Sequence, residues 1–175
     1  MHYYQKCQSK RFVNIFLISR KMNMFKVKMS VLATIILSAM FTNVAFAGSC
    51  DVNIESTAAM AFNVKEIAVP KTCKEITLNL KNTGTMAKAI MGHNVVISKT
   101  SDMQAVIKDG TSAGLANNYV KPKDARVVGY TSIIGGGEST YAKIKLVNVK
   151  ATDSYSFYCS FPGHGSIMKG VFKLV

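Results

Sequence analysis

From residue 48 onward, hydrophobic and polar positions alternate over short stretches of the chain. In residues 74–81 the apolar side chains of Ile76, Leu78 and Leu80 alternate with polar neighbours, and residues 141–149 repeat the pattern. Successive side chains of a strand point to opposite sides of its sheet, so this alternation indicates strands with one buried face. Further strands are predicted at residues 50–55, 60–68, 93–98, 154–159 and 169–174.

The alternation stops between residues 101 and 123. Apolar positions 103, 106 and 107 have helical spacing, which predicts a short helix with Ser101 or Asp102 as its N-cap. The helix is expected to end at Asp109-Gly110 and to lie outside the sheets. About seven or eight short strands with one inserted helix predict an all-β fold, a Greek-key β-sandwich.

Residues 1–47 have a different character and form a predicted leader. Their second half begins with Lys26 and Lys28, continues through an apolar run from position 31 to 41, and ends in Ala-Phe-Ala. This order is typical of a secretory signal peptide, so we predict cleavage after Ala47 and a mature domain of residues 48–175. A membrane anchor is the alternative, but the apolar run is short and polar residues interrupt it.

Removal of the leader changes the charge of the protein. The whole chain carries a formal charge of +13, with 22 Lys and Arg and nine acidic residues. Seven of the basic residues and none of the acidic ones lie in the leader, which leaves 15 against nine and a charge of +6. The remaining Lys and Arg are spread out with no interleaved aromatics, which argues against a nucleic-acid partner.

Three cysteines remain in the mature domain, and in an oxidising compartment two of them are expected to pair. Cys50 and Cys73 lie near the ends of predicted neighbouring strands, which favours a disulfide between them and leaves Cys159 as the free thiol. Lipid attachment at Cys50 is the alternative. The preceding residues lack the large aliphatic side chain usual for a lipoprotein signal, and lipidation would leave Cys73 without a partner.

The candidate chemistry lies in residues 159–168. Cys159, His164 and Met168 have the spacing C-x4-H-x3-M in a loop between two predicted strands, and their side chains belong to the softer protein ligands, which suit copper. Cys159 alone is compatible with a buried structural residue, and Met168 with core packing. A nucleophile with His164 as its base lacks a third, orienting group.

A second imidazole is available from His93, the other histidine of the mature domain, which opens a predicted strand. Two histidines and one cysteine with a long axial methionine are typical of blue-copper electron-transfer sites. The carbonyl of Gly92 offers a second, weak axial ligand.

Over residues 48–175 the chain resembles the azurins, a family of bacterial cupredoxins. The matching segments are Cys50 with Cys73, Met91-Gly92-His93-Asn94, Lys108-Asp109-Gly110, Cys159-Ser160-Phe161-Pro162-Gly163-His164 and Met168-Lys169-Gly170. The resemblance implies a cupredoxin β-sandwich with a helical flap and one type 1 copper per chain. It implies equatorial ligation by His93, Cys159 and His164, and axial ligation by Met168 and the Gly92 carbonyl.

The function that follows is a periplasmic one-electron carrier rather than an enzyme, with a periplasmic copper carrier as the alternative. Its expected partners are respiratory or denitrification-type redox proteins, such as c-type cytochromes or a copper or haem reductase, which dock transiently near His164. The domain is expected to be a monomer with no membrane span. The residues expected to support the ligands are Asn94, Phe161 and Pro162. The expected docking patch consists of Met60, Met86, Met91, Phe161, Pro162 and Ile167.

The chain departs from the azurins at two places. Val95 stands where many azurins have a buried Trp, and the chain contains no Trp. Asn82 falls where some azurins have a second, non-ligand histidine, so a pH-responsive switch is not expected there. Neither difference affects a candidate ligand.

Overall fold

The computed structural model describes residues 44–46 and 50–175, which form a β-sandwich of two sheets. One sheet has the strand order β1-β4-β10-β9-β6-β7 and the other β3-β2-β5-β8. The strands are β1 (Val44–Phe46), β2 (Asp51–Thr57), β3 (Ala61–Phe62), β4 (Glu66–Val69), β5 (Glu75–Asn82), β6 (Val96–Lys99), β7 (Val127–Tyr130), β8 (Ser139–Lys145), β9 (Tyr155–Tyr158) and β10 (Lys169–Leu174). The predicted all-β sandwich is confirmed, with more strands than expected.

The predicted alternation builds the space between the sheets. β2 and β5 pair in parallel, with Val52 opposite Leu78 and Ile54 opposite Leu80, and all four side chains are buried. Burying each such side chain stabilises the fold by about 1.5–3 kcal/mol. Buried residues of the six-stranded sheet, Phe157 and Phe172 among them, belong to the same core cluster. The two sheets therefore share one hydrophobic core.

β9 is buried at all four positions, because its outer face is also covered. A second hydrophobic cluster on that side contains Tyr158 together with Val96, Met103, Val106 and Val120. Two of its members belong to the helix Met103–Ala113, which we call the flap helix. This helix forms a third layer over the strand that leads to Cys159.

The flap helix is longer than predicted. Its start agrees with the expected N-cap at Asp102, but it continues past Gly110 to Ala113. The expected end at Asp109-Gly110 was wrong because Gly110 serves a close contact instead of a turn. A Cβ atom at position 110 would lie 2.0 Å from the carbonyl oxygen of Tyr119, so only glycine allows the helix to approach this segment.

Other boundaries also differ from the pattern. The predicted strand 60–68 divides into β3 and β4, which belong to different sheets. The strand predicted from His93 begins at Val96, while His93 itself forms an isolated antiparallel bridge with Ile134. The short helix Lys88–Met91 and the strand β7 were not predicted. Each of these elements is too short to show a clear period.

The predicted disulfide between Cys50 and Cys73 is confirmed, with the two Cα atoms 5.8 Å apart. It links the start of β2 to the segment before the neighbouring strand β5. The bond uses the sulfur atom of Cys50, which favours the disulfide over the alternative of lipid attachment at this residue. Cys159 is the free cysteine of the described residues, and it is buried.

Most of the predicted leader, residues 1–47, lies outside the described residues. Residues Val44–Phe46 are described, and they pair in parallel with β4. The signal peptide and its cleavage after Ala47 therefore stay predictions. Within the described part of the chain, no helix is long and apolar enough to cross a membrane.

Candidate metal centre

His93 is held by hydrogen bonds from its backbone and its ring. Its backbone exchanges two hydrogen bonds of 3.0 Å with Ile134, and its side chain is fully buried. Ring atom Nε2 lies 3.0 Å from the carbonyl oxygen of Thr57. A carbonyl only accepts, so Nε2 carries the proton and the neutral ring presents the free lone pair of Nδ1. This nitrogen lies on the side of Cys159, 3.9 Å from its sulfur.

Cys159 follows the last residue of β9. Its backbone N–H donates to the carbonyl of Met168 at 3.0 Å, which joins the two ends of the loop that contains His164. The thiol is fully buried. Sγ lies 3.6 Å from Nδ1 of His164 and 4.0 Å from the carbonyl oxygen of Gly92.

His164 lies in a tight turn between Cys159 and Met168. Gly163 adopts a left-handed conformation with φ of 83°, which starts a 3-10 turn over His164–Ser166. Glycine is favoured there because it has no side chain to oppose that conformation. The His164 ring packs on Phe161, with ring centroids 4.5 Å apart, and only 4% of the residue is exposed.

The three side chains fit a single metal ion. The ligand atoms of His93, Cys159 and His164 all lie within 4.8 Å of one another. Planar three-coordinate ligation, with bonds of about 2.3 Å to sulfur and about 2.0 Å to nitrogen, separates sulfur from nitrogen by about 3.7 Å. The observed separations of 3.9 and 3.6 Å match this value. A thiolate with two imidazoles is the donor set that soft transition metals prefer.

Burial sets the protonation state of the cluster. It raises the pKa of the Cys159 thiol to about 11, although the backbone N–H groups of Asn94 and Phe161 act in the opposite direction. Burial, and then the charge of His93, lowers the pKa of His164 to about 4. Burial also lowers the pKa of His93, against the effect of its bond to Thr57. At neutral pH the metal-free cluster is therefore a thiol with two neutral imidazoles, and a metal must displace the thiol proton.

Met168 and Gly92, the expected axial ligands, both have backbone atoms next to Cys159: the Met168 carbonyl accepts the Cys159 N–H at 3.0 Å, and the Gly92 carbonyl oxygen lies 4.0 Å from Sγ. Met168 is fully buried and belongs to the core cluster that contains Cys159. Gly92 is buried beside the helix Lys88–Met91, where a Cβ atom would lie 2.4 Å from the carbonyl oxygen of Lys88. Glycine at position 92 therefore fits against the end of this helix, where a side chain would clash with the Lys88 carbonyl.

Asn94 joins the two segments that contain the candidate ligands. Its Oδ1 accepts the backbone N–H of Ser160 at 2.9 Å. Its Nδ2 donates to the hydroxyl of Ser160 and to the carbonyl oxygen of Asn118, both at 2.9 Å. The Asn94 side chain thus fixes the distance between the residue after His93 and the residue after Cys159.

Sequence reasoning missed several of these supporting groups. Thr57, Ser160, Asn118 and Ile134 contact the ligand segments through backbone atoms or a hydroxyl. Backbone acceptors leave no trace in residue type, so no pattern could have identified Thr57 or Ile134. Ser160 directly follows Cys159, and this adjacency to a candidate ligand was the available signal.

The expected docking patch is exposed in part. Met86 and Ile167 are 42% and 53% exposed, Pro162 is exposed, and Met60 and Met91 are half-buried. Phe161 differs from the expectation, because it is buried between His164 and an edge contact with Tyr119. Ile90, which is 62% exposed on the helix Lys88–Met91, was not predicted. The helix was too short to be predicted, so the exposure of its apolar side chain could not be predicted either.

The two departures from the azurin pattern are both accommodated. Val95 is fully buried in the core cluster. Asn82 is 1% exposed, accepts the N–H of Gly84 at 2.9 Å and donates to the Ile134 carbonyl at 3.5 Å. The amide does not titrate, so this position provides no protonation switch.

Comparison with known proteins agrees with this fold and with a copper site. The profile of the copper binding proteins of the plastocyanin/azurin family matches residues 48–175. The chain therefore belongs to this family of copper-binding proteins, and copper is its cofactor.

Individual relatives are azurins. The chain is 56% identical over 126 residues to the azurin of Alcaligenes faecalis, covering 72% of this chain and 98% of that protein. It is 49% identical over 152 residues to the azurin of Bordetella pertussis, covering 87% and 99%. Among solved structures, an azurin (Az-iso2) from Methylomonas sp. strain J matches with a TM-score of 0.70 and 42% identity, covering 73% of this chain and 98% of that one.

Proposed function

We propose that this protein is a periplasmic one-electron carrier with a single type 1 copper centre. His93, Cys159 and His164 would hold the copper as its main ligands, and Met168 and the carbonyl of Gly92 would be weaker additional donors. The observation that carries the proposal is the buried set of one sulfur and two nitrogen atoms, at separations of 3.9 and 3.6 Å, already suited to one ion. The azurin names of the relatives support the same conclusion.

When bound, copper supplies a one-electron couple between Cu(II) and Cu(I). The residues of this chain would keep the donor atoms in place during the exchange. His93 is fixed by Thr57 and Ile134, and the two ligand segments are fixed to each other by Asn94. Such outer contacts orient ligands and limit rearrangement. The cluster is almost closed to water, because His93, Cys159 and Met168 are fully buried.

Electrons would enter and leave through His164. His164 is 4% exposed, whereas the side chains of His93, Cys159 and Met168 are fully buried. The exposed apolar side chains of Met86 and Ile167 belong to the expected docking patch. A small apolar surface suits brief contact with a partner such as a c-type cytochrome or a copper or haem reductase. Export to the periplasm is supported by the leader pattern and by the Cys50–Cys73 disulfide, which requires an oxidising compartment.

Loading the mature chain, residues 48–175, with Cu(II) tests the centre. We expect an intense visible absorption from charge transfer between thiolate and Cu(II). Cys159→Ser should abolish it, because a hydroxyl does not replace the thiolate. An uncoloured wild-type protein after stoichiometric copper loading would refute the proposal.

Redox exchange separates an electron carrier from a copper carrier, the alternative function. An electron carrier should be reduced by ferrocytochrome c and reoxidised by an oxidised cytochrome with copper retained throughout. Met86→Lys should slow this exchange about tenfold without moving the reduction potential, since a charge opposes apolar docking. Tyr141→Lys is the control, because Tyr141 is 67% exposed on β8 in the other sheet. Equal rates for both variants would contradict the docking surface.

A further inference from the structure

We propose that Ile107 of the flap helix is a positioning residue for His164. Its side chain packs against the turn His164–Ser166 and limits the movement of that turn. This inference rests on the proposed function only in treating His164 as a copper ligand, because the contact itself is a property of the folded chain.

The contact is visible at Gly165, in the middle of the turn. A Cβ atom at position 165 would lie 2.5 Å from Cδ1 and 3.4 Å from Cγ1 of Ile107, and 3.1 Å from the carbonyl oxygen of Cys159. The turn therefore lies between the flap helix and the residue that supplies the thiol. Gly165 is buried, and no left-handed conformation explains the glycine there, so close packing does.

The turn needs an outside support because its own hydrogen bonds join only residues of the same loop. Gly163 and Gly165 flank His164, and glycine restricts the backbone least of all residues. The hydrogen bonds of the turn are all local. The N–H groups of Ile167 and Met168 donate to the His164 carbonyl at 3.1 and 2.8 Å, the His164 N–H donates to the Phe161 carbonyl at 3.0 Å, and the Ser166 hydroxyl donates to the Gly163 carbonyl at 3.2 Å. A displacement of the turn would carry Nδ1 of His164 away from Sγ of Cys159. Ligands must be held within about 0.5 Å for a site to be well defined.

The flap helix is itself held in place close to Ile107, so this side chain can support the turn. Arg126 forms an ion pair with Asp109, two residues after Ile107, at 2.6 Å, and a second ion pair with Asp124 at 2.6 Å. At the next position, Gly110 lies directly against the Tyr119 carbonyl. Both contacts lie within one helical turn of Ile107.

The segment that follows the helix supports His164 from a second direction. The Tyr119 ring meets Phe161 edge-on with centroids 5.3 Å apart, and Phe161 packs on the His164 ring at 4.5 Å. The flap helix thus restrains the backbone of the turn through Ile107, while Tyr119 restrains the imidazole through Phe161. His164 owes its position to a layer outside the sandwich.

The contact between Ile107 and Gly165 can be tested by making one side chain smaller and the other larger. Ile107→Val removes only Cδ1, the atom nearest Gly165, whereas Gly165→Ala adds a methyl group at that point. We expect Gly165→Ala alone to shift the thiolate-to-copper absorption and the reduction potential. We expect Ile107→Val to restore them partly in the double variant, since the contact with the Cys159 carbonyl remains.

Amide hydrogen exchange of the metal-free protein gives a readout that does not depend on copper. Ile107→Ala should accelerate exchange of the Ile167 and Met168 amides about tenfold, because the turn loses its support. Val106→Ala is the matched control, since Val106 is fully buried on the same helix in the second cluster. It should affect global stability without a selective effect on the turn.

The inference is overturned if Ile107→Ala and Val106→Ala accelerate the same amides equally, or if the double variant shows no recovery. Should Ile107→Ala fail to fold, Ile107→Val with the same amides decides the question. A wild-type protein that stays colourless with copper would refute the proposed function alone. The exchange experiment would still test whether Ile107 supports the turn.

Discussion

The two histidines of the candidate copper centre are held in different ways. His93 is fully buried, exchanges two backbone hydrogen bonds with Ile134, and donates from Nε2 to Thr57. His164 is the first residue of a three-residue turn and has a glycine on each side. Within the described residues its Nε2 has no hydrogen-bond partner. One imidazole is fixed by the sandwich and the other by a loop whose support comes from the flap.

Under the proposed function, this difference gives separate tasks to the two histidines. A ring with both nitrogens used and no exposed surface can only hold the metal. A ring with one free nitrogen and a narrow exposed edge can hold the metal and also conduct an electron to a partner. The same asymmetry means that the two positions should respond differently to removal of the ring.

Removal of the ring should give the largest effects. His93→Gly leaves a closed cavity and removes one of the two hydrogen bonds that the Thr57 carbonyl accepts, and should lower the free energy of unfolding of the metal-free protein by about 3 kcal/mol. His164→Gly should cost less, because that cavity opens toward solvent. Thermal or denaturant unfolding of the two variants measures the difference.

Rescue by added imidazole sharpens the same comparison. Exogenous imidazole should restore the copper chromophore of His164→Gly, because the free ligand can enter from solvent. It should not restore that of His93→Gly, whose site is sealed by the sandwich. Equal rescue of both variants would show that the two positions are equally accessible and would remove the distinction between them.

A smaller effect is expected from Asn94→Ala, which cuts the link between the ligand segments. The substitution leaves the backbone N–H of buried Ser160 without its acceptor, and should lower the free energy of unfolding by about 2 kcal/mol. Asn79→Ala is the control, since its side chain bonds Asn53 at an exposed site, and should change stability by less than about 0.5 kcal/mol. Denaturant titration of both metal-free variants gives the values.

The smallest effect is expected at the ion pair between Asp124 and Arg126, which also pairs with Asp109 of the flap helix. Asp124→Asn should cost a few tenths to about 1 kcal/mol, the range of partly exposed ion pairs. The hydrogen bond from Arg126 lowers the pKa of Asp124. On acidification the unfolded chain takes up the proton first, so the contribution is complete above about pH 4 and is lost as pH falls through the folded pKa.

Denaturation of the metal-free protein as a function of pH checks this sign. The difference in free energy of unfolding between wild type and Asp124→Asn should be constant near neutral pH and should become smaller below about pH 4. A difference that becomes larger in acid would show that Asp124 does not contribute through its charged form.

The predictability of each element follows from how its residues are patterned. β5 could be located because Ile76, Leu78 and Leu80 alternate with polar residues over a full strand. The end of the flap helix could not, because a glycine that normally stops a helix is used at position 110 for contact with Tyr119. The candidate cluster of His93, Cys159 and His164 could be predicted from residue type and spacing, whereas Thr57 and Ile134 act through backbone atoms that every residue possesses.

The sequence by itself determined the sandwich, the disulfide and the donor set of the centre. These depend on local periodicity and on the few Cys and His residues of the mature domain, which allow few combinations. Only the tertiary structure decided how each histidine is held, because a hydrogen bond to Thr57 or a contact between Ile107 and Gly165 joins segments with no common pattern. The ligands are thus specified by residue type, and their unequal restraint by packing between distant parts of the chain.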